Sequence, residues 1–138
     1  RDGDRLKVRI PSITFASNSP DYINVDAEKA LKNTEVIQRL AEIFKKFSKY
    51  RILVVGHANR DKYDPAKNPA VAKKEQDEEL LPLSKARADA IRSALIAQGI
   101  EARRISTEGK GGAEPVASFD DRDNWWKNRR VEFILVRE

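Results

Sequence analysis

Residues 51–56 read Arg51-Ile-Leu-Val-Val-Gly56, a short run of branched apolar residues closed by glycine. A run of this length and composition is a β-strand, and one apolar on consecutive positions is covered on both faces, so it sits in the middle of a sheet. The flanking sequence shows what covers it. Upstream, Val36, Ile37, Leu40, Ile43, Phe44 and Phe47 recur at spacings of three and four opposite Arg39, Lys45, Lys46 and Lys49, which is an amphipathic helix ending near residue 49. Asn33-Thr34 reads as a break in that region, with Thr34 capping its second part, and Asp26 reads as the N-cap of the whole. Downstream, Ser84 reads as the cap of a second helix that runs to Gln98 and stops at Gly99, with Leu83, Arg87, Ile91, Ala94 and Leu95 on one face.

Further outward, residues 6–15 alternate apolar and polar with a slip at Pro11, which predicts a half-buried edge strand. Residues 103–108 predict a short strand. Residues 130–137 predict a final one, with Val131, Phe133 and Leu135 on one face and Ile134 and Val136 on the other. The order β-α-β-α-β-β is an α/β two-layer sandwich: a mixed four-stranded sheet with its helices on one face. Residues 57–82 are charged and broken by Pro65, Pro69 and Pro82, and read as a long inserted loop at about 60–82, with a short helix possible over 73–81.

The chain has 138 residues, enough for one domain with its own core. It begins at Arg1 and contains no methionine, which points to a piece of a larger protein. The absence of cysteine excludes disulfides, thiolate metal sites and cysteine nucleophiles. A single histidine, His57, excludes His-His metal pairs and argues against acid-base catalysis. The net charge of +5 comes from 27 basic and 22 acidic residues mixed along the chain, which is a salt-bridged surface and not a nucleic-acid footprint. No apolar run is long enough to enter a membrane as a spanning helix.

Four features suggest chemistry, and each has a plainer reading. Gly109-Lys-Gly-Gly112 lacks the spacing and the following helix of a phosphate loop, and Glu114 and Pro115 follow it. Trp125-Trp126 beside Lys127, Arg129 and Arg130 reads as one indole anchoring a loop and the other covering the sheet edge. His57, just past the central strand, reads as a loop anchor. Glu75, Asp77, Glu78 and Glu79 lack calcium-loop order and read as a solvated helix face. The chain is therefore expected to be non-enzymatic, with no metal and no cofactor.

Six landmarks then fall in order along nearly the whole chain: Ile13-Thr-Phe-Ala-Ser-Asn-Ser19, Val54-Val-Gly-His-Ala-Asn59, Leu83-Ser-Lys-Ala-Arg-Ala88, Gly99-Ile100, Gly109-Lys-Gly111 with Pro115, and Asn128-Arg-Arg-Val-Glu-Phe133. Together they resemble the OmpA-like (OmpA/MotB C-terminal) domain family, whose patterns are "F..NS", "V.GHTD", "LS..RA", "G.G...P" and "NRRVE". The resemblance implies a periplasmic module of an outer-membrane or envelope-associated protein that grips peptidoglycan. The ligand it implies is the diaminopimelate of the stem peptide, held by an aspartate on its ammonium and an arginine on its carboxylate. Carried over, the carboxylate partner is Arg87, placed one turn into its helix where the dipole adds to the pull. Asn18 matches a ligand-contacting polar residue, Phe15 the pocket wall, and Asn128 and Arg129 the supporting stretch. The sequence departs from the family pattern where Asn59 stands for the aspartate, Ala58 for the preceding threonine and Leu80 for a family asparagine. Diaminopimelate binding is accordingly expected to be weak or lost, with Asp61 and Asp64 as candidate substitute carboxylates. The alternative is an envelope protein-protein module that uses the 60–82 insertion.

Overall fold

The structure is a computed structural model that describes residues 5–8, 13, 15, 22, 27–60 and 64–137. Four strands form one sheet: β1 (Arg5–Val8), β2 (Tyr50–Gly56), β3 (Ile105–Gly109) and β4 (Val131–Arg137). Their spatial order is β1-β4-β2-β3. β2 runs parallel to β3 and antiparallel to β4, and β1 closes the far edge antiparallel to β4. The sheet is thus mixed and β2 is interior, as its continuous apolar run requires.

Three helices follow the same chain order: α1 (Ala27–Lys46), α2 (Pro69–Glu75) and α3 (Leu81–Ala97). The side chains of Ile52, Val54, Phe133 and Leu135 pack on Ile37, Leu40 and Phe44 of α1 and on Ala88, Ile91 and Leu95 of α3, in one cluster. Register explains the shared face: Ile52 pairs with Leu135 and Val54 with Phe133, so alternate positions on both strands point the same way. Phe44 and Phe133 meet with ring centroids 5.8 Å apart. Each such side chain removed from water contributes about 1.5–3 kcal/mol.

The approach of α3 to the sheet depends on missing side chains. A Cβ on Gly56 would lie 1.9 Å from the Ser84 carbonyl oxygen, and one on Gly109 would lie 2.6 Å from the Lys85 nitrogen. These two glycines pair with each other at the ends of β2 and β3. They let the backbone of α3 rest directly on the strand ends where the candidate site begins. At the other end, Arg104 ties the sheet to α1 by donating to the carbonyls of Phe44 in the last turn of α1, Phe47 just past it, and Tyr50 at the start of β2.

Several expectations are corrected here. Among the described residues the first strand is Arg5–Val8, and Ile13 and Phe15 lie outside it but are buried in the core; the rest of the expected 6–15 strand lies outside the described residues. α1 is unbroken at Asn33-Thr34: the Thr34 hydroxyl donates to the Ala30 carbonyl one turn back instead of capping a new start. Within the expected stripe, Ile43 and Phe47 are exposed, and Asn33 and Ala41 join the buried face. The expected cap at Asp26 lies outside the described residues.

The largest difference concerns residues 69–97, which are helical throughout; Pro69–Glu75 and Leu81–Ala97 are joined by a π turn over Gln76–Leu80. Ser84 lies inside this run, its hydroxyl bonded to the Leu81 carbonyl at 2.9 Å. Two prolines hid the helix. Pro69 stands at its start, where a missing N–H costs nothing. Pro82 follows the widened π turn, which relieves the clash a proline ring makes with the turn before it. The C-terminal stop at Gln98 and Gly99 is as expected, with Gly99 at φ +101°.

Candidate functional site

The strand ends of β2 and β4 continue into the site. His57 N–H donates to the Arg130 carbonyl at 2.8 Å and Ala58 N–H to the Gly111 carbonyl at 2.8 Å. The glycine loop after β3 is clamped by the helical run beside it. Gly111 N–H donates to Ser84 Oγ, Gly112 N–H donates to Gln76 Oε1, and Gln76 Nε2 donates back to the Lys110 carbonyl. Gly111 sits at φ +58°, and a Cβ there would lie 2.4 Å from Gln76 Oε1. These glycines therefore serve packing and turn geometry. Leu80 rests against Gly112 on the same side.

Asn59 and Asn128 meet at the wall of an open cavity of about 290 Å³, which is also lined by Ala58, Arg60, Pro115 and Phe119. Asn128 Nδ2 donates to Asn59 Oδ1 at 2.7 Å and to the Ala117 carbonyl at 3.0 Å. Its Oδ1 accepts from the N–H groups of Val116 and Ala117 at 2.8 and 2.9 Å. Asn59 Nδ2 donates to the Arg60 carbonyl at 2.9 Å, and Arg60 NH1 donates to the Ala72 carbonyl of α2 at 3.0 Å.

Arg87 is wholly buried behind this wall. Its NH1 donates to the His57 carbonyl at 3.1 Å, and its guanidinium lies 5.2 Å from the centre of the Phe15 ring. Burial, and secondarily the charge of Arg129, push its pKa down from the usual guanidinium range to about 10. The expected help from a helix N-terminus does not apply, because Arg87 lies deep within the helical run that begins at Pro69. His57 is buried as well, with Nε2 3.5 Å from Glu132 Oε1, and Glu132 also accepts from Arg130 NH2 at 3.0 Å.

Of the residues singled out in the sequence, the structure brings Asn59 and Asn128 together at the cavity and sets Arg87 and Phe15 against each other behind it. Asn18 and Asp61 lie outside the described residues. Asp64 turns the chain into α2: its Oδ1 accepts from the Ala66 N–H at 2.9 Å. Glu75, expected on a solvated face, is buried, while Asp77 pairs with Lys73 at 2.6 Å. Among the described residues no group of acids and histidine is placed to hold a metal ion, and no helix is long and apolar enough to cross a membrane. Trp125 does anchor its loop, donating from Nε1 to the Phe119 carbonyl. Trp126 is 44% exposed with Lys127 over its ring.

Sequence reasoning missed Arg60, Gln76 and the acceptor role of Ser84. Arg60 follows Asn59 directly, but its importance depends on α2, most of which falls where the sequence reads as a loop.

The comparisons with known proteins fit this geometry. The model of the OmpA family matches residues 14–129. The chain is 32% identical over 136 residues to "Probable lipoprotein YiaD" of Escherichia coli (strain K12), covering 98% of this chain and 53% of that protein. It is 31% identical over 133 residues to "Peptidoglycan-associated lipoprotein" of Agrobacterium fabrum, covering 96% of this chain and 60% of that protein. The chain thus spans between half and two-thirds of the length of these relatives. In fold it is similar to the C-terminal domain of Helicobacter pylori MotB, with a TM-score of 0.68 at 23% identity over 94% of this chain and 87% of that one. With the matched model covering most of its length, the chain belongs to the OmpA family.

Proposed function

We propose that this chain is a non-catalytic, periplasmic wall-anchoring domain of an envelope protein. It docks on the stem peptide of peptidoglycan at the cavity bounded by Asn59 and Asn128, with Arg87 and Phe15 holding that wall from behind. The printed name of the Agrobacterium fabrum relative, a peptidoglycan-associated lipoprotein, supports the partner. The observation that carries the reading is the place of Asn59: it stands where the family has its aspartate and lines an open cavity.

The same observation supports weak binding of diaminopimelate. A neutral amide keeps the shape of the aspartate and loses its charge. A hydrogen bond to a charged group contributes about 1.5–3 kcal/mol, and about 1.4 kcal/mol is tenfold in affinity. An affinity in the millimolar range follows. The 60–82 segment as an independent protein-docking surface is less well supported. Its helix α2 holds Arg60, and the π turn supplies Gln76, so this segment builds the cavity wall.

Titration calorimetry with a diaminopimelate-containing muropeptide, alongside co-sedimentation with purified sacculi, tests the reading. Sedimentation with sacculi and weak muropeptide binding are expected. Micromolar binding by the native chain would overturn the weakened site while leaving the wall partner standing. No sedimentation with sacculi would overturn the wall partner itself.

A further inference from the structure

We propose that the cavity is a carboxylate receptor: Arg60 and the remaining N–H of Asn59 take the terminal carboxylate of a wall peptide, and the ammonium beside it goes unread. The proposal rests on the peptidoglycan reading above and names which part of the ligand this chain selects.

The amide of Asn128 can stand in only one orientation. Two backbone N–H groups, from Val116 and Ala117, point at its Oδ1, and turning the amide over would set its NH2 against both. Its NH2 therefore faces the Ala117 carbonyl and Asn59. That fixes Asn59 in turn. Its oxygen faces Asn128, and its nitrogen faces the Arg60 carbonyl with one N–H remaining. The position where the family has an anion thus presents a donor.

Arg60 adds the charge. Its guanidinium is steadied by the Ala72 carbonyl, and it is the one charged side chain among the described residues that line the cavity. An ammonium carries three N–H donors and needs acceptors around it. Among the described residues the lining offers two neutral side-chain oxygens beside a fixed cation, and both are engaged: that of Asn59 by Asn128, and that of Asn128 by two backbone N–H groups. A carboxylate offers two oxygens to a guanidinium fork and an amide N–H, a charge-assisted match. Selectivity against the ammonium follows from the same cation that attracts the carboxylate.

The test is an NMR titration of the isotope-labelled chain with three forms of one diaminopimelate tetrapeptide: unmodified, with the free-end amine acetylated, and with the carboxylate of that end amidated. The first two are expected to bind within about twofold of each other, shifting the Asn59 side-chain amide signal, and the amidated form to bind about tenfold more weakly. Arg60→Gln is expected to lose about tenfold for both binding forms while Arg60→Lys retains part, with amide spectra outside the cavity showing that each variant is folded. If Arg60→Gln does not fold, the amidated peptide decides on the native chain alone. A loss of about tenfold on acetylation would overturn the proposal and leave the wall reading intact. Failure of every peptide and of sacculi to bind would overturn both.

Discussion

The side chain of Asn128 donates to Asn59 Oδ1 at 2.7 Å across 69 residues of sequence. It joins the loop after β2 to the segment before β4 at the point where both face the cavity. All four hydrogen-bonding positions of the Asn128 amide are in use, two as acceptor and two as donor.

Asn128→Ala strips two buried N–H groups of their acceptor and releases Asn59. A loss of about 2–3 kcal/mol is expected in urea unfolding. Asn128→Asp is the sharper test of the amide orientation. It keeps an acceptor for Val116 and Ala117 but sets a second carboxylate oxygen against the Ala117 carbonyl and Asn59 Oδ1, so a loss of similar size is expected. A neutral effect of Asn128→Asp would mean that the amide stands the other way round.

Gly56→Ala tests the close approach of α3. The added carbon would lie 1.9 Å from the Ser84 carbonyl oxygen, which belongs to backbone and cannot swing aside. The helix must then lift from the sheet, at a cost of about 3 kcal/mol or more. Denaturant midpoints check this. Gly109→Ala, with backbone at 2.6 Å, is expected to lose stability too.

Residues whose signal is local were legible without coordinates. The β2 run, the α1 stripe around Ile37, Leu40 and Phe44, and the stop at Gly99 each follow from a short window of sequence. The mixed sheet needed only these and the crossover rules; the spatial order of its strands did not follow from them. The parts that were missed depend on a distant partner. Pro69 and Pro82 read as breakers until the π turn between α2 and α3 is seen. The burial of Glu75 and the grip of Gln76 on Gly112 follow from that helix. Asn59 was found from its motif, but its orientation is set by Asn128, which no local pattern could show.

A pH-dependent contribution comes from the edge where α3 meets β3. Asp89 Oδ1 accepts from Lys85 Nζ at 2.8 Å and from Thr107 Oγ1 at 2.6 Å. Partial burial opposes the charge of Asp89, but these two bonds and the nearby cations outweigh it and hold its carboxyl below the usual value of 3.8. The folded state therefore binds this proton less readily than the unfolded chain. Its stabilisation is present above the usual value and is lost as pH falls through the lowered one. The pair is half exposed, so solvent screening limits the effect. Asp89→Asn is expected to cost about 0.5–1 kcal/mol at neutral pH, and the difference from the native chain is expected to shrink at acid pH as Asp89 takes up its proton. Parallel unfolding curves at neutral and acid pH measure it.

Arg87 is expected to act on stability before it acts on binding. It is wholly buried, fills space against Phe15, and satisfies the His57 carbonyl. Arg87→Ala removes that volume and leaves a buried acceptor short of its donor, for a loss of about 2–4 kcal/mol. Arg87→Met keeps most of the volume and discards a charge that burial disfavours, so a smaller loss of about 1–2 kcal/mol is expected. The pH profile separates this role from a titrating one. With its pKa lowered to about 10, Arg87 keeps its proton in both the folded and the unfolded chain throughout the neutral range. The difference between Arg87→Ala and the native chain is then constant with pH there. Only above about 10 does the folded state give up its proton first, and in that window the burial penalty falls and stability rises with pH. A stability gap between the two proteins that changes across the neutral range would mean that another titrating group is coupled to Arg87. Unchanged stability in Arg87→Ala would mean that the arginine holds nothing behind the wall.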